Sequence, residues 1–410
     1  MTSLQIQYLI IGLLIFDFIF NKFIFYLNNK NWKPIVPEEM KDVLDEDKYA
    51  KAAAYHKENG KLSLLSSSLS FIIILAFAGL GWFGDLDDYF KTLSDSEFIQ
   101  TATFFFVLFI ASDLLSLPFT IYQTFVIEEK YGFNKMTPKT FVLDKIKGYL
   151  LAAAIGGGLL WLVMWVYVNI DTGFWLWLWA IIGAFVLLLN MFYADIILPI
   201  FNKLSPLEEG DLKTEIKQYA DKIGYAIKHI YVIDGSKRST KANAFFSGLG
   251  PRKTIALYDT LIEKNTNEEL TAILAHEVGH FKKKHILASM ILSILQLGIT
   301  LFLLEFFIGQ IEVSEALGGT SISFALGVIA FGFIFSPVGL ILGILMNVLS
   351  RKNEFEADAY AKNTYDSEAL INGLKKLSVD SMSNLYPHPW YVFIHYSHPP
   401  VLERIKALRE

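Results

Sequence analysis

The chain has 410 residues, 53% hydrophobic and only 19% charged, with a net charge of −5 and no cysteine. Soluble domains carry about 25% charged residues, so this apolar excess calls for a lipid covering and the chain reads as a membrane protein. The negative balance excludes a basic nucleic-acid binder, and the lack of cysteine excludes disulfides and thiolate metal sites, leaving His and carboxylate as metal ligands.

A helix needs about 20 apolar residues to cross a bilayer, and seven stretches qualify: 4–26, 62–83, 98–122, 148–168, 174–197, 286–308 and 322–349. Residues 1–7 carry no basic cluster and no small-residue cleavage site follows the first stretch, so it reads as a retained span and not a signal peptide. Lys30, Lys33, Lys41, Lys48, Lys51, Lys57 and Lys61 lie between the first two spans. Lys130, Lys135, Lys139, Lys145 and Lys147 lie between the third and fourth. The alternate loops, 84–97, 169–173 and 309–321, hold Lys91 alone. The positive-inside rule therefore puts the basic loops, the 199–285 segment and the tail after Leu349 on the cytoplasmic side, with the N-terminus opposite.

Several ionisable or polar groups interrupt the spans: Asp17, Asn21, Asp113, Asp195 and Glu305. Such groups face a polar cavity, pair locally as Asp17 could with Lys22, or lie near the interface, the reading given to Asp195 and Glu305.

Residues 203–285 form the main non-membrane stretch before the sixth span. Residues 210–223 predict a helix and 229–233 a strand ended by Asp234 and Gly235. A basic segment, 237–241, leads into Ala242-Asn243-Ala244-Phe245-Phe246, a turn through 248–251, and a second strand at 254–258. The pair is either an ordinary hairpin or a sheet whose edge holds an extended peptide by backbone hydrogen bonds.

The passage around which the rest is organised is His276-Glu277-Val278-Gly279-His280. Residues four apart stack on one helix face, so both imidazoles can reach one zinc ion with Glu277 beside its open position, the arrangement of a metallopeptidase. Thr266 and Glu269 predict a capping box, and Leu270, Ile273, Leu274, Val278 and Phe281 form an apolar stripe roughly 120° from the histidines. Core and metal site thus use different faces. The plainer alternative is a solvated polar helix face.

Two histidines and a water leave one protein ligand to find. Glu354 and Asp358 stand four apart just after the last span, so one can bind the metal while the other accepts a hydrogen bond from a ligating imidazole. His285, nine residues after His276, falls on another face and reads as an interfacial residue. The His395-Tyr-Ser-His398-Pro-Pro cluster with Glu403 and Arg404 is either a polar turn or an oxyanion-stabilising group. His56, His229 and His388 receive no role.

Five passages, 124–135, 241–246, 276–280, 350–361 and 395–404, together resemble the CAAX prenyl endopeptidase family, integral-membrane zinc peptidases of the a-factor-converting type. The resemblance implies His276, His280 and Glu354 as zinc ligands, Glu277 as general base and Asp358 behind them. It also implies that Asn243 grips the substrate backbone and that His398 and Arg404 line the catalytic site.

The expected fold is mainly α: seven transmembrane helices enclosing a chamber, capped by a gluzincin-like zinc peptidase domain with a small β-sheet. Its expected divisions are 1–202, 203–285, 286–349 and 350–410. The expected activity is hydrolysis of peptide bonds in prenylated proteins or other membrane-associated peptides by one Zn²⁺ site, in a monomer embedded in the bilayer. The zinc site would face the cytoplasm, in the endoplasmic reticulum membrane of a eukaryote or the inner membrane of a bacterium. Rival readings are a quality-control metallopeptidase of the heat-shock type, a seven-helix transporter using the intramembrane acids, and an inactive scaffold.

Overall fold

The computed structural model describes residues 1–170, 172–225, 227, 229–247 and 254–410. The turn expected through 248–251 lies outside these. Among the described residues seven helices are long and apolar enough to cross a membrane: Ser3–Lys30, Glu46–Leu80, Glu97–Tyr131, Pro138–Asn169, Phe174–Phe201, His285–Phe307 and Phe324–Thr364.

In chain order the helices of the first half are α1 (Ser3–Lys30), α2 (Glu46–Leu80), α3 (Trp82–Leu93), α4 (Glu97–Tyr122), α5 (Pro138–Leu151), α6 (Gly157–Asn169), α7 (Phe174–Phe192) and α8 (Leu198–Phe201). Single π-helical turns at Gln123–Glu128, Ala152–Gly156 and Tyr193–Ile197 extend α4, join α5 to α6, and join α7 to α8. Then come β1 (Leu204–Pro206), α9 (Asp211–Lys222), β2 (His229–Ile233), β3 (Ala244–Ser247), β4 (Thr254–Tyr258), α10 (Asp259–Lys264) and α11 (Asn267–Lys282). The chain ends with α12 (His285–Phe307), α13 (Ile311–Ala316), α14 (Phe324–Thr364), α15 (Ser367–Asp380), α16 (Pro389–His395) and α17 (Val401–Arg409).

Local chemistry sets the ends of these elements. Thr2 with Gln5 caps α1 in a reciprocal box, and the side chains of Asp45, Ser96 and Ser323 cap α2, α4 and α14. The loop expected at 84–97 is instead largely helix α3, which starts at Gly81 in the left-handed conformation with φ +77°. Gly84 of α3 lies so close to Gly318 that a Cβ would stand 1.9 Å from that residue's carbonyl carbon. Its amide donates to the Leu317 carbonyl at 2.8 Å, so two glycines dock the turn after α13 onto α3.

The membrane helices close a ring. α1 touches α2, α2 touches α4, α4 touches α6, α6 touches α7, α7 touches α12, α12 touches α14, and α14 returns to α1. Seven helices of about 10 Å diameter cannot all meet at a common axis, although α4 and α14 also touch across the ring. In agreement, at most 17% of the most apolar window of any span is buried. The bundle is hollow, as the resemblance implied. Asp113 of α4 pairs with Lys145 at 2.5 Å and with the Tyr149 hydroxyl, both on α5, and Glu305 accepts from the Gly173 amide at 2.7 Å. The local pairing open to Asp17 and Lys22 is not made among the described residues. Lys22 donates to Ser67 of α2, because its side chain points across the helix pair and not along its own helix.

One end of the ring is closed by a packed unit. Its four-stranded sheet has the order β1-β2-β4-β3, with β2 and β4 parallel and the outer pairs antiparallel. Ile216, Ile255, Leu257, Leu270, Leu274, Ile371 and Ile405 share its core with Met40 and Tyr49, so the connection between the first two spans contributes to it. The last span, expected at 322–349, continues through the acidic segment after it as the single 41-residue α14. Pro337 within it does not end the helix, since at membrane depth a broken helix would leave backbone groups without partners. The consequence is rigid: α14 carries Glu354 from bilayer to peptidase unit on one rod.

Candidate metal centre

The site is built where α11 crosses α14. The capping box of Thr266 and Glu269 starts α11, and Leu270, Leu274 and Val278 bury one of its faces at 1% exposure each. Gly279 lets the helices touch, because a Cβ there would lie 3.0 Å from the Ala357 Cα and 3.1 Å from both the Ala357 carbonyl oxygen and the Tyr360 Cβ. This close approach brings Glu354 against the two histidines.

His276 Nε2 and His280 Nε2 are 3.1 Å apart. Glu354 completes the triangle, with Oε2 3.4 Å from His276 Nε2 and Oε1 3.3 Å from His280 Nε2. In a tetrahedral zinc site with bonds of about 2.1 Å, neighbouring ligand atoms lie about 3.4 Å apart, so these separations suit one ion bound by all three. Glu354 Oε2 is buried and makes no hydrogen bond. The donor set therefore fits a metal ion, and two N and one O ligand with a free fourth position fit catalytic zinc.

A second layer holds the ligands. Asp358 Oδ1 lies 2.8 Å from His276 Nδ1, and since a carboxylate only accepts, the proton sits on Nδ1 and Nε2 is directed at the metal position. Arg404, 7% exposed, donates to Asp358 from Nε at 2.8 Å and from Nη2 at 2.6 Å, and its Nη1 lies 3.3 Å from Glu354 Oε2. One guanidinium thus fixes both Glu354 and Asp358. Burial lowers the affinity of His276 for a proton, but Asp358 and Glu354 outweigh it and raise its pKa to about 9. Burial pushes the Glu277 carboxyl above its usual range, against the opposing pull of His276 and His280. That is the direction a proton acceptor and donor working near neutral pH requires.

His276, Glu277, Glu354, His398 and Arg404 line one cavity of about 230 Å³ with Asn243. His398 Nε2 is 3.4 Å from Glu354 Oε1 on an otherwise exposed side chain. Asn243 is exposed, and its Oδ1 accepts from the Ala244 amide at 2.8 Å. Its carbonyl accepts from Tyr258, on the β4 side. β3, which follows it, is the edge strand of the sheet.

His285 gains partners that its spacing from His276 in the sequence did not suggest. It opens the span His285–Phe307 and is 6% exposed, with Nδ1 3.1 Å from His280 Nδ1 and Nε2 3.2 Å from Glu356 Oε2. The break between α11 and α12, with Lys284 at φ +61°, turns the chain so that a residue off the metal face of α11 returns to it. Its spacing of five from His280 carried the only signal in the sequence. The 124–135 passage also gains a place: Glu128 accepts from Lys241 at 2.9 Å and from the Tyr55 hydroxyl at 2.5 Å, which braces the segment leading to Asn243.

Two family models cover nearly the whole chain: the five-helix N-terminal part of CAAX prenyl proteases matches residues 26–203, and peptidase family M48 matches residues 206–410. The chain is 32% identical to CAAX prenyl protease 1 of Saccharomyces cerevisiae, over 98% of this chain and 94% of that protein. It is 33% identical to the human CAAX prenyl protease 1 homolog, over 91% of this chain and 88% of that one. Its fold is similar to the crystal structure of S. mikatae Ste24p, with a TM-score of 0.93, 30% identity and 99% of each chain covered.

Proposed function

The chain belongs to peptidase family M48, in its membrane-spanning CAAX prenyl protease branch, and from that premise we propose how its residues perform the reaction and on what. It is an integral-membrane metallopeptidase. The metal is zinc, held by His276, His280 and Glu354. The observation that carries this reading is the triangle of donor atoms, all within 4.8 Å of one another, around a buried carboxylate oxygen with no hydrogen bond.

When bound, zinc polarises the scissile carbonyl and acidifies a water molecule. Glu277 takes the proton of the attacking water and delivers it to the leaving amine, a task suited to a carboxyl whose proton affinity burial has raised. His398, at the mouth of the cavity, donates to the oxygen on which negative charge develops. Arg404 and Asp358 keep Glu354 and His276 oriented. The substrate lies extended along the free edge of β3, gripped at its backbone by Asn243.

The substrates are peptides ending in a prenylated cysteine and three further residues, which are removed. The chain acts in the bilayer as a monomer, with the zinc site facing the cytoplasm as the loop lysines indicate. In a eukaryote this would be the endoplasmic reticulum membrane. It divides at 1–202, 203–285, 286–349 and 350–410, with residues 36–52 joining the peptidase unit. Seven spans and the match over 26–203 favour this reading over a heat-shock-type peptidase with fewer spans. The test is incubation of purified protein with a farnesylated CAAX peptide and its unprenylated twin, with and without a chelator. Release of the terminal tripeptide from the farnesylated peptide alone, abolished by chelation, is expected. Equal cleavage of both would remove the lipid requirement, and chelator-resistant cleavage would remove the metal.

A further inference from the structure

A second cavity, of about 520 Å³, lies between α1 and α2 at the end of the bundle that adjoins the peptidase unit. Its cations are Lys22, Lys57 and Lys61, and no carboxylate lines it. Asp and Glu are otherwise plentiful nearby, but the one acid in this stretch of α2, Glu58, is engaged by Lys130. Lys22 stands about 6 Å inside the end of the first span, four residues at about 1.5 Å each from residue 26. A cation at that depth is costly unless an anion or water reaches it. Its ammonium meets only the Ser67 hydroxyl and the face of Phe18, 5.5 Å from the ring centroid. Lys57 and Lys61 form no ion pair with any described residue.

The walls match the charges. Gly60 brings the helices together, since a Cβ there would lie 3.1 Å from the Phe25 ring, and above this floor Tyr26 and Leu64 expose apolar surface at 57% and 51%. Toward the peptidase unit the lining turns polar, with Asn29, His56 and the edge of Trp32. A cleft with three cations and hydrogen-bond donors at the bilayer boundary, continuing into an apolar groove between two spans, suits a molecule with an anionic head and acyl tails. We propose that this cleft binds the headgroup of an anionic phospholipid. A soluble phosphate would satisfy the lysines but leave the groove of Tyr26 and Leu64 unused, so the lipid is the occupant favoured.

The test uses the full chain, purified in mild detergent and studied by native mass spectrometry with phosphatidylglycerol, phosphatidylcholine or inorganic phosphate added in turn. Phosphatidylglycerol should stay bound under activation that strips phosphatidylcholine. In K57Q/K61Q, both on exposed side chains, its affinity should fall about tenfold or more, and in K61Q alone by a smaller factor. Retention of the two lipids to the same extent would overturn the proposal, as would retention of phosphatidylglycerol that is unchanged in both variants. Inorganic phosphate binding as tightly as phosphatidylglycerol would also overturn it, leaving a phosphate site and not a lipid site.

Discussion

At the residue scale the site divides into groups that touch the reaction and groups that aim them. Glu277→Gln keeps every ligand, so zinc content by elemental analysis should stay near one per chain while tripeptide release falls about 10²- to 10⁴-fold. Unchanged turnover would remove Glu277 as the base. His276 presents a different quantity. Its pKa is raised from 6.5 to about 9, so in metal-free protein its pairing with Asp358 and Glu354 stabilises the fold fully below about 6.5 and is lost as pH rises through about 9. A ligand must give up that proton to bind metal. Zinc affinity, measured by chelator competition, should therefore climb with pH below about 9 and flatten above it. A flat profile over that range would contradict the assignment. His285→Ala removes the neighbour of His280 Nδ1 and should weaken zinc binding about 10- to 100-fold, read as a faster loss of metal to chelator.

At the element scale the decisive contact is the crossing of α11 and α14. With the Ala357 Cα 3.0 Å from the place of a Cβ on Gly279, Gly279→Ala must separate two backbones, since no flexible side chain can give way. Glu354 then withdraws from His276 and His280, and the variant should lose most of its zinc while keeping its helical circular dichroism. Full zinc occupancy in Gly279→Ala would mean that the crossing tolerates more slack than its geometry indicates. The sequence suggested neither the crossing nor the unity of α14. The change from apolar to charged residues near Leu349 looks like a helix boundary, but it marks the membrane surface on an unbroken helix. The capping box, the apolar stripe of α11 and the strand at His229–Ile233 were all legible, because caps and periodicity act over a few residues.

On the scale of the whole molecule, the ring explains why acids and lysines occur at membrane depth. Asp113 and Lys145 remain 19% and 27% exposed as a pair. Exposure to hydrocarbon would be unfavourable, so these side chains face the lumen. Ser116 and Thr120 continue the face of α4 that Asp113 begins, at helical spacings of three and seven. The absence of native cysteine allows a direct check. A cysteine replacing Ser116 should react with a charged thiol reagent far faster than one replacing Leu114, on another face of α4. Equal inertness at both positions would mean a dry interior.

The sequence by itself determined what depends on short range or on bulk composition: a membrane protein with seven spans, a capped helix bearing His276, Glu277 and His280, and an acidic pair four residues apart. It also supplied the pattern of lysines from which orientation is inferred. The choice between Glu354 and Asp358 came from the resemblance and not from spacing, and only the tertiary structure shows the contacts behind it: Glu354 against the histidines, Asp358 on His276, Arg404 on both acids, and His285 turned back onto His280. These relations join residues 46 to 128 positions apart, or depend on a left-handed turn at Lys284. No local propensity encodes them, because they arise from the packing of helices whose apolar faces specify burial but not partners.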